Sequence, residues 1–194
     1  MHVFATVVTK ILNPLTTILA SMVVAVFVQQ IPVGEKILWL VLGVGTTAIP
    51  SAILIFQYKK GQISSLWSPT GPERQKAFLA WVIVVAIYSA LAYWLDAPRM
   101  ITALGLILLG LGLINLLLSQ SLKISVHTEA TTLLALTAIL AVGVSQIYLV
   151  ILIALVGWTR LYLRAHNFSE VSFGALVAIL ATYFVFSLFG LATF

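Results

Sequence analysis

The chain has 194 residues, 62% of them apolar and only 8% charged, with a mean hydropathy of +1.16. A soluble domain carries about 25% charged residues, so the composition excludes a soluble globular protein and leaves no room for a separate soluble domain. The absence of cysteine excludes a disulfide framework and a thiolate metal site, and the net charge of +5 reports on membrane topology and anionic head groups rather than nucleic acid.

Val3, Phe4, Val7, Val8, Ile11 and Leu12 fall on one helical face, the spacing of a short interfacial helix. Only Lys10 precedes the first long apolar run, and no small-residue cleavage site follows, so the N-terminus reads as retained. Asn13-Pro14 breaks and restarts the chain, since proline suits a first helical turn. About 20 apolar residues cross a bilayer, with roughly 17 as the low end. That ruler predicts seven spans, at 14–30, 37–57, 77–95, 100–119, 128–144, 147–164 and 170–192. The connections at 31–36, 96–99 and 145–146 are short enough for antiparallel hairpins. The expected fold is an all-α polytopic transmembrane bundle of about six to seven spans with a short N-terminal interfacial helix. It forms a single integral membrane domain over 1–194, with N-terminal helices over 1–57 and a core over 58–192.

Seven crossings put the N-terminus and the 58–76, 120–128 and 159–169 loops on one side, with Lys10, Lys59, Lys60, Arg74, Lys76, Lys123, Arg160 and Arg164. Lys36 and Arg99 face the other way. The bias survives when Arg74, Lys123 and Arg160 are set aside as functional, and it makes the loaded side cytoplasmic.

On that side, residues 159–174 place Arg160, Arg164, His166 and Glu170 between two apolar runs. Ionisable groups so close to hydrocarbon are costly unless they face a cavity or one another, so the cluster is a candidate functional site. A helix through His166 and Glu170, four apart, would put both on one face. The 120–128 loop places Lys123, Ser125 and His127 at alternating positions, which an extended approach would aim the same way.

These residues resemble the signatures of the type 2 phosphatidic acid phosphatase superfamily. Thr159, Arg160, His166 and Glu170 stand where its third signature has Ser-Arg, five residues, His, three residues and Asp. Ser125 and His127 match its second signature, Pro-Ser-Gly-His, with Ile124 and Val126 replacing the proline and glycine. The 58–76 loop departs further: Gln62 and Gly71 stand where the first signature has its lysine and first arginine, and Glu73 and Arg74 match.

The resemblance implies a metal-independent, cofactor-free lipid phosphatase of the cell membrane. His166 would attack phosphorus, Glu170 orient it and His127 protonate the leaving oxygen. Arg160, Lys123, Ser125 and Arg74 would hold the phosphate, with Lys60 and Arg164 as further candidates. The implied partners are membrane lipids and a lipid phosphate: an isoprenoid phosphate or diphosphate, phosphatidic acid or phosphatidylglycerophosphate. Two other readings compete: a non-catalytic relative that binds anionic lipid, and a transporter component whose charges line a path.

The bland readings stand beside these. Arg164 suits a snorkelling interfacial cation, and Lys59, Lys60 and Lys76 suit lipid anchors. Glu129 and Ser169 suit helix starts, and Asn115 an interhelical hydrogen bond. Trp39, Trp67, Trp81, Trp94 and Trp158 lie near span ends, as belt residues do. Pro50 reads as a kink, and the glycines at 43, 45, 105, 110 and 112 as kinks or close-packing sites; Gly110-Leu-Gly112 lacks the dimer spacing, so no oligomer is inferred.

Overall fold

The first break in the chain has a local cause. The Asn13 side chain accepts from the amides of Leu15 and Thr16, at 2.9 and 3.2 Å, and Pro14 follows at the first helical position. The structure, a computed structural model, describes residues 1–64 and 71–192; Trp67 and the 65–70 part of the expected first signature lie outside them. Helices α1 (His2–Ile11) and α2 (Pro14–Phe27) flank Asn13 and are bent by 44° to each other. There follow α3 (Val33–Lys59), α4 (Gly71–Trp94), α5 (Arg99–Leu118) and α6 (Val126–Val142). A 3₁₀ segment, Val144–Leu149, leads into α7 (Val150–Tyr162), and α8 (Phe168–Leu188) closes the described chain.

Among the described residues the fold is all-α, a polytopic helical bundle. Five stretches are long and apolar enough to cross a membrane: α3, α4, α5, Val144–Tyr162 and α8. The α1–α2 pair adds a sixth if it forms one broken span. The expected 14–30 span therefore differs. Helix α2 has 14 residues, about 21 Å of helix against a hydrocarbon core of about 30 Å. Its partner α1 lies against α7, where Thr9 Oγ1 donates to Thr159 Oγ1 at 3.0 Å and the Phe4 ring sits 6.2 Å from that of Trp158.

The expected 128–144 span is the 17-residue α6. It packs against α2, α7 and α8, so its threonines face protein rather than lipid. Thr128, Thr131, Thr132 and Thr137 are all buried. That burial explains how a segment with so many hydroxyls is tolerated. The expected 147–164 helix begins at the 3₁₀ segment, because Gly143 takes a φ of +125° that only glycine adopts freely.

Helices α4 and α5 make the tightest hairpin. A β-carbon on Gly105 would meet Ser89 Oγ at 3.0 Å, and one on Gly112 would meet Trp81 at 2.9 Å. Two tryptophans expected in a belt are therefore placed differently. Trp39 is 2% exposed and meets Tyr88 edge-on in the core, and Trp81 packs over Gly112. Trp94 fits the belt expectation, being largely exposed at the end of α4. Tyr183, Phe184 and Leu188 of α8 stay exposed, as a lipid-facing surface does.

Candidate functional site

The turn from α7 into α8 builds the site. Helix α7 ends in a Schellman motif: the Arg164 amide donates to Leu161 O and the Ala165 amide to Arg160 O, each at 3.0 Å. The His166 amide also reaches Arg160 O, at 3.3 Å. Arg160 and His166 are thus brought together by a helix stop, which accounts for their six-residue spacing. Asn167 then caps α8. Its side chain accepts from the Glu170 amide at 2.9 Å, while Glu170 Oε2 accepts from the Asn167 amide at 3.3 Å. This capping box aims Glu170 back over the turn, where Oε2 meets His166 Nδ1 at 2.8 Å. The expected pair forms, but not on one helix face, since His166 precedes the cap.

The 119–125 loop closes over this turn through reciprocal bonds. His166 Nδ1 also lies 3.1 Å from the Lys123 carbonyl, and Lys123 Nζ donates to Ala165 O at 3.1 Å. The Ser125 amide donates to Glu170 O at 3.3 Å. A β-carbon on Gly174 would meet Ser125 O at 2.9 Å, so only glycine lets α8 approach this closely. Facing two acceptors, Nδ1 carries the ring proton and leaves the lone pair on Nε2.

The charges of this cluster act on one another. Burial holds the His166 imidazole below its ordinary value. The hydrogen bond to Glu170 raises it, Arg160 lowers it, the charge of Glu170 raises it and Lys123 lowers it again. Arg160 and His166 also act electrostatically on His127, in the first turn of α6. The Arg160 Nε is buried and has no hydrogen-bond partner among the described residues. Such a donor is suited to an oxyanion.

The structure thus ties His166, Glu170 and Lys123 together by hydrogen bonds, with Arg160 and His127 within electrostatic reach. The other candidates are placed differently. Ser125 is fully buried: its hydroxyl pairs with Thr128 Oγ1 at 2.9 Å and its amide goes to Glu170. The alternation expected for Lys123, Ser125 and His127 stops at Ser125, because α6 begins at Val126. Arg74 Nη2 donates to Ser119 O at 2.6 Å, at the rim of the same loop. Lys60 is exposed, with its ammonium 4.5 Å from the centre of the Phe56 ring. Arg164 is exposed and left-handed, with a φ of +52°.

Asn167 was not singled out, although Asn-x-x-Glu is the sequence pattern of a capping box. The Ser169 hydroxyl donates to Asn167 Oδ1 at 2.7 Å and supports that cap instead of forming it. Below the cluster, Asn115 makes the expected interhelical bond, donating to Glu129 Oε2 at 2.7 Å. Glu129 stands in the first turn of α6, as expected, and its buried carboxylate also serves as a partner between α5 and α6. Among the described residues no group of three His, Asp or Glu side chains could hold a metal ion.

No family model matches the chain, no curated protein matches its sequence, and no solved structure matches its fold.

Proposed function

We propose that the protein is a membrane lipid phosphatase that hydrolyses a phosphate or diphosphate monoester of a lipid through a phosphohistidine on His166. One observation carries this reading: Nδ1 of His166 lies 2.8 Å from Glu170 Oε2 and 3.1 Å from the Lys123 carbonyl, which leaves Nε2 as the nucleophile. The Nε2 lone pair attacks phosphorus in line, forming a P–N bond as the P–O bond to the lipid breaks. Glu170 stabilises the imidazolium that forms, as the acid of a triad does. His127 gives the leaving oxygen its proton, then takes one from the water that cleaves the P–N bond. Arg160 and Lys123 neutralise the equatorial oxygens, the main electrostatic task of phosphoryl transfer. The bias of basic loops supports a cytoplasmic face for this chemistry.

The test is phosphate release in detergent from a panel of lipid mono- and diphosphates, without added metal. Wild type should release phosphate and His166→Ala should not. Release by the variant at near wild-type rate would remove the phosphohistidine, and no release by wild type from any lipid would remove the enzyme.

A second reading, a non-catalytic binder of anionic lipid, is favoured by the first signature. Gln62 and Gly71 stand in place of its lysine and first arginine, the nearby Lys60 lies over Phe56, and Arg74 holds the Ser119 carbonyl. Its signature in the same assay is lipid binding by wild type without phosphate release.

A further inference from the structure

A cavity of about 160 Å³ lies between α2, α3 and α4. Its walls are apolar, formed by Leu15 and Ile18 of α2, Pro50 and Leu54 of α3, and Ala77 and Trp81 of α4. Pro50 is the local cause. Inside α3 it removes one backbone hydrogen bond and its ring displaces the preceding turn. The polar groups beside it are satisfied within α3: Thr47 Oγ1 donates to Val44 O at 3.1 Å and Ser51 Oγ to Thr47 O at 2.6 Å. Neither hydroxyl in that wall therefore asks for water.

The remaining wall is Val126, the first residue of α6. Its sequence neighbours are Ser125, whose amide ties the loop to Glu170, and His127 of the cluster. Hydrocarbon and cationic surfaces thus adjoin at one residue. Arg160 and Lys123 attract an anion on one side, and on the other side the cavity offers apolar burial. Such a juxtaposition is complementary to an amphiphile with an anionic head.

We propose that this cavity receives the head-proximal segment of the hydrocarbon tail of a lipid phosphate, and that it selects single-chain lipids over diacyl lipids. The proposal rests on the reading of the histidine cluster as a phosphate site. Size carries the selection. An apolar cavity of about 150 Å³ takes one benzene, so this one holds about six carbons. That is one stretch of an alkyl or isoprenoid chain, and two acyl chains side by side do not fit.

The test measures binding without turnover. Full-length protein carrying His166→Ala, in detergent, is titrated with a dodecyl phosphate brominated at mid-chain, since bromine quenches indole fluorescence on contact. Saturable quenching is expected, reversed by unbrominated dodecyl phosphate and absent when Trp81→Phe removes the reporter. Filling the cavity with Ala77→Phe, or from the opposite wall with Leu54→Trp, should raise the midpoint at least tenfold. A brominated diacyl phosphate should lack the saturable component. Quenching that never saturates, that survives both filling variants, or that a diacyl phosphate matches at the same midpoint would overturn the proposal. Phosphate release by wild type separates the two readings. Saturable quenching without release removes the phosphatase and leaves the cavity standing, and release without saturable quenching does the reverse.

Discussion

The two basic segments near the mouth of the bundle are held in different ways. In the C-terminal one, the 119–125 loop and the 163–170 turn exchange bonds in both directions: Lys123 donates to Ala165, His166 meets the Lys123 carbonyl, and the Ser125 amide meets Glu170. In the N-terminal one, Lys60 lies on an aromatic ring of its own helix, and Glu73 binds the Ser64 amide and hydroxyl at 2.8 Å. Two side-chain bonds among those described reach across to the other segment, from Arg74 to the Ser119 carbonyl and from Gln120 to the Gln75 side-chain oxygen. A side chain locked by reciprocal backbone contacts is pre-organised for chemistry. A cation stacked at a surface anchors a helix end. Charge count alone does not distinguish the two segments; the reciprocal backbone contacts do.

Substitutions can break this comparison. The largest effect should come from His166→Ala, which should lower kcat by at least about 10³-fold, because the nucleophile has no substitute. Arg160→Ala should follow, at about 10²–10³-fold in kcat, the usual loss for one donor to a developing oxyanion. Arg74→Ala should raise KM by about tenfold or less with kcat unchanged, as loss of uniform binding does. The contrast between the segments fails if phosphate-release kinetics rank Arg74→Ala level with Arg160→Ala.

Glu170→Gln sharpens the comparison, because glutamine also completes a capping box and can accept from Nδ1. The Lys123 carbonyl still holds the tautomer, so the fall in kcat should be about 10²-fold, less than where tautomer control is lost. The pH profile gives the sign. Turnover needs neutral His166, whose value lies below the ordinary one of about 6.5. The acid limb of kcat/KM in wild type should therefore lie below pH of about 6.5. Both contributions of Glu170 raise His166, so removing its charge should move that limb to still lower pH. A limb that moves upward would show that Glu170 does not face the imidazole.

Much of the bundle is legible in hydropathy, for reasons that also explain the misses. Helices α3, α4, α5 and α8 are long, apolar and bounded by charge or proline, so a 20-residue ruler finds them. Helix α6 is surrounded by protein, and its inward threonines weaken the same signal. Helix α2 starts afresh at Asn13-Pro14 and stops at Phe27, ahead of Gln29, Gln30 and Pro32, so it falls short of full length. The site residues were legible as a spacing, whereas the turn that makes the spacing work was not. A helix carried through His166 was the natural reading, since no glycine marks the end of α7. An arginine stands at the left-handed position where glycine is usual.

That arginine allows the smallest of the tests. Arg164 is exposed, and its φ of +52° lies in the region that a side chain enters at a cost of roughly 1–2 kcal/mol. Its position completes the Schellman motif that returns His166 over Arg160. Arg164→Gly removes the strain but also a cation at a helix C-terminus, where a positive charge contributes about 0.3–1 kcal/mol. Arg164→Ala removes the same cation and keeps the strain. Thermal unfolding in detergent should therefore place the glycine variant above the alanine variant by about 1 kcal/mol. Phosphate release should stay near wild type in the glycine variant, because the backbone turn, not the guanidinium, serves the site. A glycine variant as stable as wild type but severely impaired in release would instead give Arg164 a direct part in holding the phosphate.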